Sequence, residues 1–209
     1  MGKLNLLLIG AGGHAHACID VIEQNGQFKI AGLVGLPSEI HNLHFGYSVI
    51  ATDDDLPHLS KQYSYAFMTL GHIQSPENRI RLYQQARRLG FQFPVIIAPN
   101  AYVSRHAIVG GGTIVMHRAI INAGAKVGDN CIINNGSLIE HDATVEDHCH
   151  ISTGAIINGD VKIGEGSFIG SGSVIKEGIV IGKHCIIGLG LSVRHNQVDY
   201  SRFVGTAKS

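Results

Sequence analysis

The chain has 209 residues, which is long enough for two small domains with buried cores. Its formal net charge is zero and no basic block occurs, so duplex nucleic acid is not an expected partner. The four cysteines form no CxxC pair, and the N-terminal apolar run is short and enters a glycine-rich turn. The sequence therefore predicts a cytoplasmic protein with reduced thiols and neither a signal peptide nor a membrane span.

The first predicted element is a strand over Leu4–Ile9, which leads through a glycine turn into a helix that includes Ala17–Glu23 and is ended by Asn25-Gly26. The turn reads GAGGHA, and turns of this kind before a helix N-terminus cradle phosphate groups. The second strand, Lys29–Gly35, ends without the acidic residue that an NAD site needs. A nicotinamide oxidoreductase is therefore not expected.

A further strand is predicted at Ser64–Gly71 and a helix at Ser75–Gly90. Arg79 and Arg81 on that helix suit either contacts to phosphate groups or ordinary solvation. Because strands alternate with helices in this half, residues 1–98 are predicted to form a small α/β domain with a parallel sheet.

From Val103 onward, an aliphatic residue recurs at every sixth position without a gap. A hexapeptide period is typical of a parallel β-helix, in which stacked coils bury one continuous core. Residues 99–209 are therefore predicted to form a prism-shaped β-helix. The aliphatic series is Val103, Val109, Val115, Ile121, Val127, Ile133, Ile139, Val145, Ile151, Ile157, Ile163, Ile169, Ile175, Ile181, Ile187 and Val193.

Two other columns of the repeat have a defined composition. The residue four places after each aliphatic is usually small, and Cys131, Cys149 and Cys185 in this column are predicted to face inward. The residue three places after each aliphatic is almost always Gly, Asn, Asp or His, which tolerate positive φ and are expected at the corners of the coil. Asp142 and His148 fall in this corner column.

Residues predicted to point outward make two faces of the prism apolar and leave the third more polar. Two exposed apolar faces need cover, and prisms packed around a threefold axis would supply it. A homotrimer is therefore predicted. One apolar face contains Ile114, Ile132, His150, Phe168 and Ile186, and the other contains Ile120, Leu138, Ile156 and Val174.

His141 belongs to neither the corner column nor an outer face. Its equivalents one coil away are Ala123 and Gly159, which leave room for a ligand beside the ring. A single histidine next to a carboxylate fits a general base. No second histidine follows in its column before His195, so no metal is expected within one chain, but a zinc site shared between subunits, as in γ-class carbonic anhydrases, stays open.

The two halves together resemble one bacterial family over nearly the whole chain. The matching segments are GAGGHA, IAPNAYVS, NNGSLIEHD, HCHISTGAIINGDVKIGEGSFIGSGSVI and FVGTAK. The family consists of sugar acetyltransferases that join an N-terminal Rossmann-like nucleotide-sugar domain, here residues 1–98, to a left-handed β-helix, here residues 99–209. The resemblance implies acetyl-CoA as co-substrate and a UDP-4-amino-sugar or GDP-perosamine as acceptor, for surface glycan synthesis.

The resemblance also implies roles for individual residues. His141 is the implied general base and Asp142 the carboxylate that orients it, although the corner column alone also accounts for an aspartate there. Asn134 is similar to a residue near the acceptor amine, and His150 to a residue that contacts acetyl-CoA across the subunit interface. Further implied contacts to CoA are Gly159, Gly188, Leu189, Gly190 and Lys208. The implied phosphate turn consists of Gly12, Gly13 and His14.

Two departures from the family pattern limit what the resemblance implies. The segment LVGLPSE lacks the aspartates that follow the second strand in the family, so the nucleotide is left open. The ending VGTAK lacks the proline of the usual VGxPAK. Three other functions stay open on the sequence: O-acetylation of a sialic-acid-type sugar, a γ-carbonic-anhydrase-like metal site between chains, and non-catalytic binding of a sugar nucleotide.

Overall fold

The computed structural model describes residues 2–205, and the chain divides into two compact units. The first unit comprises Met1–Gly71 and Glu77–Ala98, and the second comprises His72–Pro76 and Pro99–Ser209. The segment His72–Pro76 therefore groups with the second unit, although both of its neighbours in sequence belong to the first.

The first unit alternates strands and helices, with short 3-10 helices at Pro37–Glu39 and Asp53–Asp55. Its elements are β1 (Leu4–Ile9), α1 (Gly13–Asn25), β2 (Phe28–Gly35), β3 (Leu43–His44), β4 (Tyr47–Thr52), α2 (Leu56–Leu59), β5 (Tyr65–Met68), α3 (Glu77–Arg88) and β6 (Ile96–Ile97). Five strands form one sheet in the order β3-β4-β2-β1-β5, parallel except for the β3–β4 pair. The carboxyl ends of β1 and β2 therefore lie side by side at one edge, where ligands bind in open α/β sheets.

The local sequence explains how β1 and α1 form. Four consecutive apolar residues, Leu6–Ile9, are fully buried at the centre of the sheet, as expected for a strand covered on both faces. The helix begins directly after Gly12 and ends at Gly26, which adopts φ 72° and donates its N–H to the carbonyl oxygen of Ile22. The predicted strand and the predicted helix end are confirmed.

The second unit is a parallel β-helix of two-residue strands. The strands are β7 (Tyr102–Val103), β8 (Ile108–Val109), β9 (Ile114–Val115), β10 (Ile120–Ile121), β11 (Lys126–Val127), β12 (Ile132–Ile133), β13 (Leu138–Ile139), β14 (Thr144–Val145), β15 (His150–Ile151), β16 (Ile156–Ile157), β17 (Lys162–Ile163), β18 (Phe168–Ile169), β19 (Val174–Ile175), β20 (Val180–Ile181), β21 (Ile186–Ile187), β22 (Ser192–Val193) and β23 (Arg202–Phe203). From β7 to β22, strands three places apart along the chain pair in register. One coil of the helix therefore comprises three hexapeptides.

These strands build the three sheets of the prism. The first prism sheet has the order β22-β19-β16-β13-β10-β7, and the second has the order β20-β17-β14-β11-β8. The third contains, within this unit, β23-β21-β18-β15-β12-β9. The second residue of almost every strand points inward and is buried, which confirms the aliphatic series as the core of the prism.

The corners of the coil adopt the left-handed conformation that the sequence predicts. From Gly112 to Gly190, every residue of the corner column has positive φ, including Arg118 at φ 58°, whose type does not favour it. His106 and Asn196, at the two ends of the column, do not. Asp142 and His148 are corner residues, at φ 59° and 62°.

The outward apolar faces differ in exposure, which corrects part of the reasoning for a trimer. On the third prism sheet, all five predicted outward residues are buried within the chain. On the first prism sheet, the predicted apolar residues stay half-buried or exposed, and Tyr102 of β7 extends this face at 57% exposure. One face, and not two, is therefore left for a partner to cover.

Candidate active site

His141 lies shortly after β13, at the edge where the first prism sheet turns into the second. Its Nδ1 is 3.0 Å from Oδ2 of Asp142, and both side chains are about two thirds exposed, at 67% and 68%. Because an ionised carboxylate only accepts hydrogen bonds, the proton of a neutral His141 ring lies on Nδ1. The lone pair of Nε2 is then available to take a proton from a ligand.

The hydrogen bond to Asp142 raises the pKa of His141 above its ordinary value, because the carboxylate stabilises the protonated ring. The more distant charges of Glu140 and Asp160 act in the same direction, and partial loss of solvent opposes them. A base with a raised pKa is a stronger proton acceptor, but it is protonated over a wider pH range.

Replacing Asp142 by asparagine is expected to lower the pKa of His141. The rate of a reaction that needs the neutral ring rises with pH through that pKa, so the acidic limb of the kcat profile is expected to move to lower pH. The pH dependence of kcat and an NMR titration of His141 in Asp142→Asn would measure both shifts. An unmoved acidic limb, with a clear NMR shift, would contradict His141 as the base.

A cleft runs along the same edge of the prism. One part, about 630 Å³, is lined by His141 and the residues one and two coils further on. A second part, about 650 Å³, shares Asn158 and Glu177 with the first and ends at His195. Gly159 lies directly beneath the ring, since a Cβ there would be 2.8 Å from both Cε1 and Nε2 of His141. The structure thus brings together His141, Asp142 and Gly159.

Replacing Gly159 by alanine is expected to displace the His141 ring without unfolding the prism. Gly159 does not need positive φ, and the atoms that its Cβ would meet belong to an exposed side chain that can swing away. The stability change should stay within about 0.5 kcal/mol. A displacement of about 1 Å can cost about 10²-fold in rate, so kcat should fall. Thermal unfolding and steady-state kinetics measure the two effects, and an unchanged kcat would count against a role for His141.

The other predicted residues of the β-helix lie along the opposite edge of the first prism sheet, where the third sheet turns into it. His150 is the outward residue of β15, and its ring lies against Phe168 at a centroid distance of 5.1 Å. Asn134 follows β12, and its Nδ2 lies 3.3 Å from Nε2 of His150. Gly188, Leu189 and Gly190 follow β21 on this edge. Within one chain, His141 and His150 thus lie at opposite edges of one sheet.

The cysteines are not placed to act as nucleophiles. Cys18, Cys131, Cys149 and Cys185 are all buried, and the last three face into the prism as predicted. Burial raises the pKa of Cys18 to about 12 and that of Cys149 well above its ordinary value. Thiols that stay protonated are poor nucleophiles, so the site favours direct attack by a substrate over a covalent enzyme intermediate.

The glycine turn of the first unit is shaped by close approach of the backbone. A Cβ at Gly10, which has φ 117°, would lie 2.7 Å from the backbone nitrogen of Leu70, so only glycine fits there. At Gly12 and Gly13, by contrast, a Cβ would meet nothing within 4 Å. Both are exposed at the start of α1, where backbone N–H groups point outward and favour an anion. His14 follows them in the first turn of the helix.

Comparison with known proteins connects both units to described families. Residues 5–86 match the model of the PglD N-terminal domain, and residues 142–177 and 160–190 match that of the bacterial transferase hexapeptide. PerB from Caulobacter crescentus, solved with CoA and GDP-perosamine, is 32% identical, with 95% of this chain and 92% of that chain covered and a TM-score of 0.87. A histidine-to-asparagine variant of perosamine N-acetyltransferase from the same organism, also solved with CoA and GDP-perosamine, is 30% identical, with coverages of 98% and 94% and a TM-score of 0.90.

A third similar structure is the acetyltransferase domain of PglB from Neisseria gonorrhoeae, solved with acetyl-CoA. It is 30% identical, with 96% of both chains covered and a TM-score of 0.87. The chain belongs to this family of bacterial nucleotide-sugar N-acetyltransferases. A comparison with curated protein sequences found no match.

Family membership confirms the resemblance and the fold class predicted from the sequence. The acetyltransferase consists of an α/β Rossmann-like part followed by a left-handed parallel β-helix of hexapeptide repeats.

Among residues 2–205, no helix is both long enough and apolar enough to cross a membrane. In the same range, no three His, Cys, Asp or Glu side chains are grouped so that they could hold a metal ion. Lys208 lies outside the described residues.

As predicted, the second strand of the acetyltransferase ends at Gly35 without an acid, but the structure brings a carboxylate from beyond the strand close to that end. Glu39 stands four residues beyond Gly35, and the 3-10 helix between them folds its carboxylate back to this edge. Its Oε2 accepts the backbone N–H of Leu36 at 2.8 Å and would lie 2.8 Å from a Cβ at Gly35. The signal in the sequence was the pattern of Pro37 followed by Glu39, which is typical of a capped helical turn.

Both interpretations of Arg79 are wrong. Its side chain is 1% exposed, and Nη1 donates to the carbonyl oxygens of Met68, at 3.1 Å, and of Leu70. Arg79 therefore stabilises the carboxyl end of β5 and is neither solvated nor open to a phosphate. Arg81 is more than half exposed and lies 3.8 Å from Asp53.

Proposed function

We propose that this acetyltransferase transfers the acetyl group of acetyl-CoA to the amino group of a nucleotide-linked amino sugar of UDP-4-amino-sugar or GDP-perosamine type. Similarity over nearly the whole chain to PerB, which was solved with CoA and GDP-perosamine, carries this proposal. The exposed His141–Asp142 pair in a cleft supplies the general base that such a transfer uses.

In the proposed reaction, the sugar amine attacks the thioester carbonyl carbon while Nε2 of His141 accepts its proton. The carbon–sulfur bond then breaks, and the CoA sulfur leaves and receives a proton from the His141 ring. Asp142 holds the Nδ1–H of the ring and stabilises the imidazolium that forms. Because the thioester is already activated, no acyl-enzyme is required, in agreement with the buried cysteines.

The nucleotide part of the acceptor is proposed to bind the first unit. Gly12 and Gly13 offer open backbone N–H groups at the start of α1, and His14 follows them in the first turn of the helix. Glu39 places a carboxylate at the end of the neighbouring strand, where acids commonly bind ribose hydroxyls. These features support a nucleotide without selecting its base.

The active enzyme is proposed to be a homotrimer with its sites between subunits. The exposed apolar face of the first prism sheet separates the His141 edge from the edge with Asn134, His150 and Gly188–Gly190. In a cyclic trimer, unlike edges of neighbouring copies meet, so His141 of one copy would face His150 of the next. CoA would then lie between the two edges, contacting Gly159 on one side and Gly188, Leu189 and Gly190 on the other. The contact of Lys208 to CoA stays a prediction.

The test is release of the CoA thiol from acetyl-CoA in the presence of a UDP-4-amino-sugar, GDP-perosamine or free sialic acid. The proposal expects release with one amino-sugar nucleotide and a product that carries one acetyl group on nitrogen. Release with sialic acid alone would replace it with O-acetylation. Binding of the nucleotides without any thiol release would favour a non-catalytic binding protein.

A further inference from the structure

Asn134 and His150 belong to one hydrogen-bond chain that ends in backbone groups on both sides. Nδ1 of His150 lies 2.8 Å from the carbonyl oxygen of His72. Nε2 of His150 lies 3.3 Å from Nδ2 of Asn134. The amide oxygen of Asn134 accepts the backbone N–H of Asn135 at 2.8 Å.

The two end groups determine the direction of every bond in this chain. A carbonyl oxygen only accepts, so His150 must carry a proton on Nδ1. A backbone N–H only donates, so the oxygen of the Asn134 amide faces Asn135 and its nitrogen faces His150. An amide nitrogen only donates, so Nε2 of His150 must be the unprotonated acceptor.

We propose that His150 is held neutral as the Nδ1–H tautomer and acts as a positioning residue for Asn134. The Asn134 amide nitrogen uses one N–H on His150, and its second N–H is the one that donates to the acetyl carbonyl oxygen of acetyl-CoA. His150 itself offers no N–H to that oxygen. The identity of the acyl ligand rests on the proposed function, whereas the proton positions do not.

The surroundings of His150 disfavour any other placement of the protons in this hydrogen-bond chain. The side chain is 7% exposed, and the rings of Phe168 and His72 meet it edge-on at 5.1 Å and 5.6 Å. A reversed hydrogen bond in such a low-dielectric site would set two acceptors or two donors against each other. The segment that supplies the His72 carbonyl is tied to the prism a second time, because Arg202 donates to the side-chain oxygen of Gln74 at 2.8 Å.

The tautomer can be measured without any acetyl acceptor by ¹⁵N NMR of histidine-labelled protein, with His150→Gln to assign the signals. The expected spectrum has a protonated Nδ1 and an unprotonated Nε2 for His150 at neutral pH. An Nε2–H tautomer, or a doubly protonated ring, would overturn the proposal even if the enzyme is fully active.

Asn134→Asp tests the donor role, since it keeps the shape but puts an acceptor where the N–H groups were. His150 is then expected to take a second proton, visible as protonation of Nε2 in the same spectrum. Loss of one donor to a developing oxyanion costs about 10²–10³-fold in kcat, with little change in the KM for acetyl-CoA. Asn5→Asp, which adds the same charge at an exposed position of β1, controls for charge. An unchanged kcat in an enzyme that is active with an amino sugar would overturn the donor role alone.

Discussion

Replacing His141 by alanine is expected to lower kcat for acetyl transfer about 10²–10⁴-fold, the usual contribution of a general base. The ring is two thirds exposed and touches Asp142 rather than the core, so the variant should fold normally. The KM for acetyl-CoA should change little, because the base acts on the amine and not on the thioester. Thiol release under saturating acceptor measures the effect.

The matched control is His106→Ala, which removes another exposed histidine of the same prism. It should keep the parent kcat, and His141→Asn, which keeps a polar side chain without a base, should behave like His141→Ala. A hydroxyl acceptor needs proton removal more than an amine does, so a steeper loss with sialic acid than with an amino sugar would point to O-acetylation. A kcat for His141→Ala within a few-fold of the parent would exclude His141 as the base.

Replacing Ile156 by aspartate is expected to abolish both assembly and activity. Ile156 is the outward residue of β16, near the centre of the exposed face of the first prism sheet. Burying an unpaired charge typically costs several kcal/mol, and a closed trimer would repeat that cost at each contact. Light scattering should give three times the 22.3 kDa chain mass for the parent and a single chain mass for the variant.

Val180→Asp is the matched control, because Val180 is the outward residue of β20 on the more polar second sheet and is 42% exposed. This variant should stay trimeric and active. A parent protein that is active as a single chain would refute the proposed division of the site between subunits.

Mixing two inactive variants tests the same division directly. His141→Ala and Asn134→Asp disable opposite edges of the first prism sheet, so each should be inactive alone. If a site takes one edge from each of two copies, trimers reassembled from an equal mixture should contain intact pairs at about a quarter of their sites. Partial recovery of thiol release after mixing would support sites between subunits, whereas no recovery from confirmed mixed trimers would place each site within one chain.

Much of the β-helix was predictable because its determinants are local. Each inward position repeats at six residues, and each corner needs a residue that tolerates positive φ, so periodicity and residue type identify both columns. Even so, Arg118 adopts φ 58°, which shows that the stacking of the coils forces a positive φ on a residue type that does not favour it. β1 and the end of α1 at Gly26 were likewise predictable from residue types close together in the sequence.

The structure departs from the predictions, or adds to them, where contacts between folded elements and turns decide and no repeated spacing records them. Arg79 was predicted to contact phosphate groups or to be solvated, but packing of α3 against the sheet buries it on the carbonyl oxygens of Met68, the last residue of β5, and of Leu70. Glu39 follows the second strand by four residues, and a 3-10 turn brings its carboxylate back to the end of that strand. The antiparallel pair β3–β4 was not predicted, because β3 has only two residues and too little pattern to detect.

The two-part architecture could be predicted from the sequence alone, and the resemblance of its segments added the family and the residues to which the chemistry is assigned in the proposed function. The architecture follows from short spacings, namely a glycine turn before a helix and a period of six, whereas the family and the residue roles follow from the resemblance of whole segments. The tertiary structure was needed to show that His141 and His150 occupy opposite edges of one sheet, that a single apolar face stays exposed, and that Nδ1 of His150 lies against the carbonyl oxygen of His72. The reason is that these properties depend on which surfaces pack together across many residues, and no local spacing records that packing.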